Sequence, residues 1–415
     1  MDVAPQIEDT TAFGRADRLA LAAFLKQCLA FLTLFVIVAL PILLSYRWVL
    51  RSVGEDLSAA EISQLASEAP VLWNSAFLSA GTYLKLPMVA ESDATVVAVG
   101  SSRVMQFRSR MFSKLPAGKF YSAGGSVQHP IDLSNCLHQL LELKPSAIIL
   151  GLDFWWFQSQ DSKSVNRVLN SARTAADNST SFSKFTRQFH RQMSLHVRHS
   201  MDRVQLYQQA WRDHRFRRAL TAPTRLDHAT GRLWIGCKET GGFRNDGSYR
   251  YSALIRESFT SAQIRAQANQ EIDKKRFHAH GVDIATCALL VRFLRRCKQE
   301  DIAVVALLPP VHSEALRRLT SGGVATTFWE QLPNVLRRLC RAEHCEFHDF
   351  SDPTAAGISD DQFIDWLHAA DTAYAGMLIE IVQSDAESVL ADFLDPLVLG
   401  QDVAAPSSPL DLYGD

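Results

Sequence analysis

From Ala94 onward, apolar runs of strand length alternate with segments whose apolar residues recur at helical spacing. Thr95–Val99 is a first buried run, and Lys119–Ser122 a short second one leading into Gly124-Gly125. Pro130–Leu143 has the pattern of an amphipathic helix, and Ser146–Leu152 is a third apolar run. Further along come a helix at Ile284–Lys298, a strand at Ile302–Leu308 ending in Pro309-Pro310, helices around Ser313–Leu319 and Thr327–Cys340, and a strand at Glu346–Phe350. A last helix covers about Ala370–Leu390. Strands separated by helices of this length predict an α/β domain over 94–390: a three-layer, doubly wound, mostly parallel sheet with its ligands at the carboxyl ends of the strands.

One insertion, 158–276, interrupts the alternation. Its first half is rich in Arg and His from Arg187 to Arg218, which fits either a face for an anionic polymer or a solvated helix diluted by Asp177, Asp202 and Asp213. Its second half carries the turn signals Lys238-Glu-Thr-Gly-Gly and Asn245-Asp-Gly-Ser, which predict hairpins.

Ahead of the domain, Cys28–Tyr46 runs without a charge between Lys26 and Arg47. That length matches the roughly 30 Å hydrocarbon core of a bilayer, and no small-residue cleavage site follows it, so the run reads as one uncleaved transmembrane helix rather than a signal peptide. The expected division is a cytoplasmic tail over 1–27, an anchor over 28–46, a helical stalk over 47–93, the domain with its insertion, and a disordered acidic tail over 391–415. Arg15, Arg18 and Lys26 precede the span against Arg47 and Arg51 after it, a balance that puts the chain in the cytoplasmic membrane as a single-pass protein with its bulk periplasmic or extracellular.

Composition adds limits. An apolar fraction of 47% over 415 residues supports a full core, and 43 basic against 44 acidic residues give no overall attraction to nucleic acid. Of 7 cysteines only Cys340 and Cys345 lie close together, a spacing that an exported domain could bridge. His278-Ala-His280 and His344 with His348 have spacings that metals use, but neither supplies a ligand set, so no metal and no cofactor is expected.

Chemistry enters at Gly100-Ser101-Ser102-Arg103. A buried strand feeding a sharp turn lifts one side chain above the sheet edge, and Ser102 is the candidate; the same pattern also describes a βα loop with a serine N-cap. A serine hydroxyl needs a base, and the base needs a third group to hold its tautomer. Asp365-Trp-Leu-His368, after the last strand and before the final helix, offers both on one loop.

Gly100-Ser101-Ser102 after the first strand, Tyr121-Ser-Ala-Gly-Gly-Ser after the second, Gly151-Leu-Asp153 after the third and Asp365-x-x-His368 near the C-terminus resemble, in that order, the SGNH or GDSL-like hydrolase superfamily. With a single membrane anchor, the Gly-Ser-Ser form is similar to exported acyl-transfer proteins of cell-envelope polymer modification. The alginate O-acetyltransferases and the lipoteichoic acid D-alanylation protein are of that kind. The resemblance implies a flavodoxin-like strand order, Ser102 as nucleophile, His368 as general base and Asp365 as its orienting partner. It implies an oxyanion hole made by the N–H of Ser102, the N–H of Gly124 or Gly125, and a third donor at the position of Asp153. Two positions depart from the pattern: Ser101 stands where the family has Asp, and Asp153 where it has an amide. An ionised carboxylate accepts hydrogen bonds and repels an oxyanion, so Asp153 is either protonated or bound to something else, such as Arg103.

Arg103 and the aromatic pair Trp155-Trp156 at the ligand edge are the candidate substrate-binding residues, the aromatics serving either to stack on sugar rings or to pack beneath the insertion. The expected function is a membrane-anchored extracytoplasmic serine acyltransferase or esterase acting on O-acyl groups of an envelope polysaccharide. Its partners would be a polysaccharide or acylated sugar, membrane lipid and a multispanning acyltransferase. The alternative is a catalytically weak binding or scaffold protein of the same fold.

Overall fold

The computed structural model describes residues 21–37, 58–74, 84–159, 224–227, 232–235, 241–251, 260–273, 281–321 and 323–414. In chain order the elements are α1 (21–37), α2 (Ala59–Glu68), β1 (Val71–Trp73), α3 (Leu86–Glu91), β2 (Val96–Gly100), β3 (Phe120–Gly124), α4 (Leu133–Leu143) and β4 (Ala147–Gly151). The insertion contributes β5 (Thr224–Asp227), β6 (Arg232–Ile235), β7 (Gly241–Phe243), β8 (Tyr249–Tyr251) and α5 (Ser261–Asp273). After it come α6 (Ile284–Gln299), β9 (Ala303–Leu308), α7 (Ser313–Thr320), α8 (Gly323–Ala342), β10 (Glu346–Asp349), α9 (Asp371–Ser384) and α10 (Pro396–Ala404).

The main sheet has five strands in the order β10-β9-β4-β2-β3, and every pairing in it is parallel. β2 and β4 are buried at every position, as strands covered on both faces must be. Because side chains alternate across a strand, Val97, Val99, Ile148 and Leu150 join one core with Leu140 of α4, Leu290 and Phe293 of α6 and Leu332 of α8. Val96, Ala98, Ile149 and Leu307 join a second core with Tyr374, Leu378 and Ile381 of α9. These two cores make three layers, and the strand order reverses between β2 and β4, where a doubly wound sheet opens its crevice.

A second sheet, β5-β6-β1-β7-β8, is mixed: β1 pairs parallel with β6 and antiparallel with β7, while β5–β6 and β7–β8 are antiparallel. The expected hairpin at Asn245-Asp-Gly-Ser is present as β7–β8. Its turn caps the edge of the main sheet, since the Asp246 carbonyl accepts the Ser122 N–H at 2.7 Å and the Asp246 carboxylate accepts the Ser109 N–H at 2.8 Å. Gly247 is required there: its φ is +74°, and a Cβ would stand 2.3 Å from the Ser122 carbonyl.

Two expectations are corrected. The stretch 47–93 is no uniform helical stalk: within it β1 joins the second sheet, with Val71, Leu72 and Trp73 buried, because its apolar positions find partners in the insertion. Residues 391–415 are not a disordered tail. α10 packs on α9, Leu399 and Leu412 are buried, and the Leu412 N–H donates to Asp371 at 2.9 Å, so apolar residues among the acidic ones secure the segment. Among the described residues no helix is long and apolar enough to cross a membrane. α1 is exposed at every position and overlaps the start of the expected 28–46 span, whose remainder, 38–46, lies outside the described residues. The basic stretch Arg187–Arg218 and the pair His278 and His280 also lie outside them. Cys340 and Cys345 are free thiols.

Candidate active site

The turn after β2 is built for close approach. A Cβ on Gly151 would lie 2.1 Å from Val104 Cγ1, and one on Gly124 would lie 2.7 Å from the Met105 nitrogen, so glycines let the ends of three strands converge on residues 101–105. A 3₁₀ turn, Ser102–Val104, follows in place of the expected α-helix. The two serines divide the readings of this turn between them. Ser101 is the cap, its Oγ accepting the Arg103 N–H at 3.2 Å, and Ser102 is thereby left to face outward.

Ser102 Oγ lies 2.8 Å from His368 Nε2, and His368 Nδ1 lies 2.7 Å from Asp365 Oδ2. The loop that carries Asp365 and His368 is short and held from within and without: the Ile364 N–H donates to the His368 carbonyl at 2.8 Å, and the His312 N–H, from the turn after β9, to the Trp366 carbonyl at 3.1 Å. Asp365 Oδ1 accepts the N–H groups of Leu367 and His368, each at 2.8 Å. Burial alone would raise the Asp365 carboxyl. Attraction to His368, the imidazole hydrogen bond and the two backbone N–H donors outweigh it and hold the carboxyl below the usual carboxylate range. An ionised Asp365 only accepts, so the neutral imidazole carries its proton on Nδ1 and presents the Nε2 lone pair to the Ser102 hydroxyl. His368 and Asp365 side chains remain 19% and 21% exposed, which leaves the serine approachable from solvent.

No protein-family model matches this sequence, and no curated protein matches it.

The oxyanion side is sparser than the resemblance implies. Among the described residues the Ser102 N–H has no acceptor, as an oxyanion donor requires. The Gly125 N–H is already spent on the carbonyls of Gly100 at 2.9 Å and Ser101 at 2.8 Å. Gly124 pairs with Gly100 in the β2–β3 ladder, and its carbonyl accepts Lys85 Nζ at 2.6 Å.

Asp153 is 1% exposed, and its Oδ1 lies 3.5 Å from Arg103 Nη1. Arg103, also 1% exposed, donates through Nη2 to the carbonyls of Pro309 and Pro310, each at 2.5 Å. Asp153 therefore binds the guanidinium beside it and lends no donor to the oxyanion. Burial pushes its carboxyl up to about 6, opposed by the charge of Arg103 and by Ser101 and His368. Since this folded-state value lies above the ordinary 3.8, the native chain holds the extra proton between about 3.8 and 6, and the Asp153 contribution to stability falls as pH rises through that window. Arg103→Met is expected to leave that carboxylate buried without its counter-charge and to cost about 3–5 kcal/mol in urea unfolding at pH 7.5. Adding Asp153→Leu should recover most of the loss, and two losses that simply add would refute the pairing.

Burial removes Arg103 and Trp156, 1% and 4% exposed, from the candidate substrate-binding residues, and Trp155 is partly exposed. The guanidinium carbon of Arg103 lies 5.6 Å from the Trp155 ring centroid and 5.9 Å from that of Phe154, so the aromatic run wraps the cation beneath the Ser102 turn. Sequence reasoning missed three further groups. Lys85 is fully buried, Tyr374 donates its hydroxyl to the Arg103 carbonyl, and burial, joined by the charge of Asp365, pushes the phenol of Tyr251 in β8 well above its usual range. A lysine alone in the apolar run Leu84–Ala90 was a visible signal for Lys85; nothing local marks the two tyrosines.

Proposed function

We propose that this chain is a serine acyl-transfer enzyme of the SGNH kind, anchored to a membrane by its apolar N-terminal segment and working outside the cytoplasm on O-acyl groups of an envelope polysaccharide. The observation that carries the reading is the unbroken chain Ser102 Oγ–His368 Nε2 at 2.8 Å and His368 Nδ1–Asp365 Oδ2 at 2.7 Å at the carboxyl edge of a parallel sheet. The exposed apolar side chains of α1, Phe24, Leu29, Phe31 and Phe35 among them, support an N-terminus covered by lipid or a membrane partner.

In the proposed cycle the Ser102 hydroxyl attacks the acyl carbonyl while His368 Nε2 takes its proton. The tetrahedral oxyanion sits on the Ser102 N–H. Collapse expels the donor's alkoxy oxygen, which leaves with the proton from His368, and an ester on Ser102 remains. A sugar hydroxyl or water then gives its proton to His368 and accepts the acyl group, restoring the serine. Asp365 stabilises the imidazolium formed in each half. A multispanning acyltransferase would supply the acyl group from the membrane side.

A second reading, a weakly catalytic binding protein of the same fold, draws on Asp153 and Gly125. Neither Asp153 nor Gly125 is left to donate, and each missing donor costs about 10²–10³ in rate. Mass spectrometry after incubation with p-nitrophenyl acetate separates the readings. An acetyl adduct on the Ser102 peptide is expected in the parent chain and not in Ser102→Ala. An adduct that persists in the variant overturns the assignment, and no adduct in either chain favours the binding reading.

A further inference from the structure

Lys85 is 0% exposed, yet among the described residues its Nζ has a single hydrogen bond, to the Gly124 carbonyl at 2.6 Å, and stands 4.3 Å from the centroid of the Phe243 ring. A buried lysine costs desolvation free energy, and burial pushes this ammonium well below the usual lysine range, with Asp246 pulling it back. Protonated or neutral, Nζ carries hydrogens and donates. What it donates to is the first member of a series of peptide units.

A trans peptide points its C=O and N–H in opposite directions. The unit whose C=O is Gly124's carries the N–H of Gly125, and that N–H donates to the carbonyls of Gly100 and Ser101 at 2.9 and 2.8 Å. The unit whose C=O is Ser101's carries the N–H of Ser102, which has no acceptor among the described residues. The Val104 N–H also donates to the Ser101 carbonyl, at 3.3 Å, so that unit is held from two sides. Hydrogen-bonded peptides in series polarise one another, by about 10–30% per bond. The series begins at a buried donor and ends at the Ser102 N–H, which has no acceptor among the described residues.

Resting on the acyl-transfer reading above, we propose that Lys85 is a positioning residue for the oxyanion hole, orienting and polarising the Ser102 N–H through the Gly124–Gly125 and Ser101–Ser102 peptides. It touches no substrate. It assigns Gly125 a place one peptide behind the oxyanion, and it lets a site short of donors strengthen the one it has.

The test uses the full-length chain with p-nitrophenyl acetate and phenylboronic acid, whose boron takes the serine oxygen and becomes a tetrahedral anion. Lys85→Met, close in shape and without a donor, is expected to lower kcat about tenfold with KM within twofold. Phenylboronic acid affinity should fall by the same factor, since only the tetrahedral state uses the N–H. Lys85→Arg, which keeps a donor at similar reach, should return kcat toward the parent value. Should Lys85→Met not fold by circular dichroism, Lys85→Leu carries the same expectation. A folded Lys85→Met chain with parent kcat and boronate affinity overturns this inference alone, as does a loss of kcat with boronate affinity unchanged. A parent chain that neither turns over the ester nor takes an adduct at Ser102 overturns the acyl-transfer reading itself.

Discussion

Ser102→Ala is expected to lower kcat/KM for p-nitrophenyl acetate by roughly 10⁴–10⁶, the loss typical of removing the nucleophile from a serine–histidine pair. The fold should be indifferent to the change. Among the described residues the Ser102 hydroxyl makes one hydrogen bond, to His368, while the neighbouring Ser101 caps the turn and the backbone of 102–105 is held by N–H donors to the carbonyls of Ser101 and Ser102. Thermal unfolding of the variant should therefore superimpose on that of the parent while the ester assay falls to the level of the uncatalysed reaction plus whatever the Ser102 N–H still contributes. Turnover surviving within tenfold would mean that another group attacks the ester, and the site would have to be sought elsewhere.

Asp365→Asn is the second large effect, on the order of 10⁴ in kcat with KM little changed. The change is nearly isosteric, and Asn can still accept the Leu367 and His368 N–H groups that Asp365 Oδ1 holds, so the loop should keep its shape. What changes is the other oxygen. An amide N–H₂ facing His368 Nδ1 favours the tautomer with the proton on Nε2, which then points a donor at the Ser102 hydroxyl instead of a lone pair. The imidazolium of the transition state also loses its counter-charge. The pH dependence follows from the same carboxyl. Its folded-state value lies below the ordinary 3.8, so its contribution to stability is complete above that value and is lost as pH falls through it toward the folded-state one. Parent activity should thus show no limb from Asp365 near neutrality. An Asp365→Asn rate within threefold of the parent would remove Asp365 from the machinery.

Ser102, Asp365 and His368 could be paired from sequence because strand–turn and strand–loop transitions lie at one edge of any doubly wound sheet, however far apart they are in the chain. The four short blocks in their order carried that much. The third block could not be read to completion. Asp153 at a donor position left protonation or a partner open, and the choice fell to Arg103, whose guanidinium reaches it only because the carbonyls of Pro309 and Pro310 and the rings of Phe154 and Trp155 close around the same point. Gly124 and Gly125 were likewise equivalent as letters. Their positions separate in the fold, where the Gly125 N–H turns back onto the carbonyls of Gly100 and Ser101.

Thr95–Met105 with its partners shows where the division falls. By itself the sequence determined the alternation of strands and helices, the parallel sheet that such alternation requires, and the residues that its carboxyl edge would present. These follow from period, length and turn chemistry, which are local. Only the tertiary structure decided that β1 leaves the expected stalk for a second sheet, that the acidic C-terminus is tied to α9, that Arg103 faces inward while Ser102 faces out, and that Lys85 lies behind the Ser102 amide. Each depends on which buried polar group finds a partner across tens or hundreds of residues. Desolvation makes an unpartnered group costly, but no local pattern states which partner will relieve it.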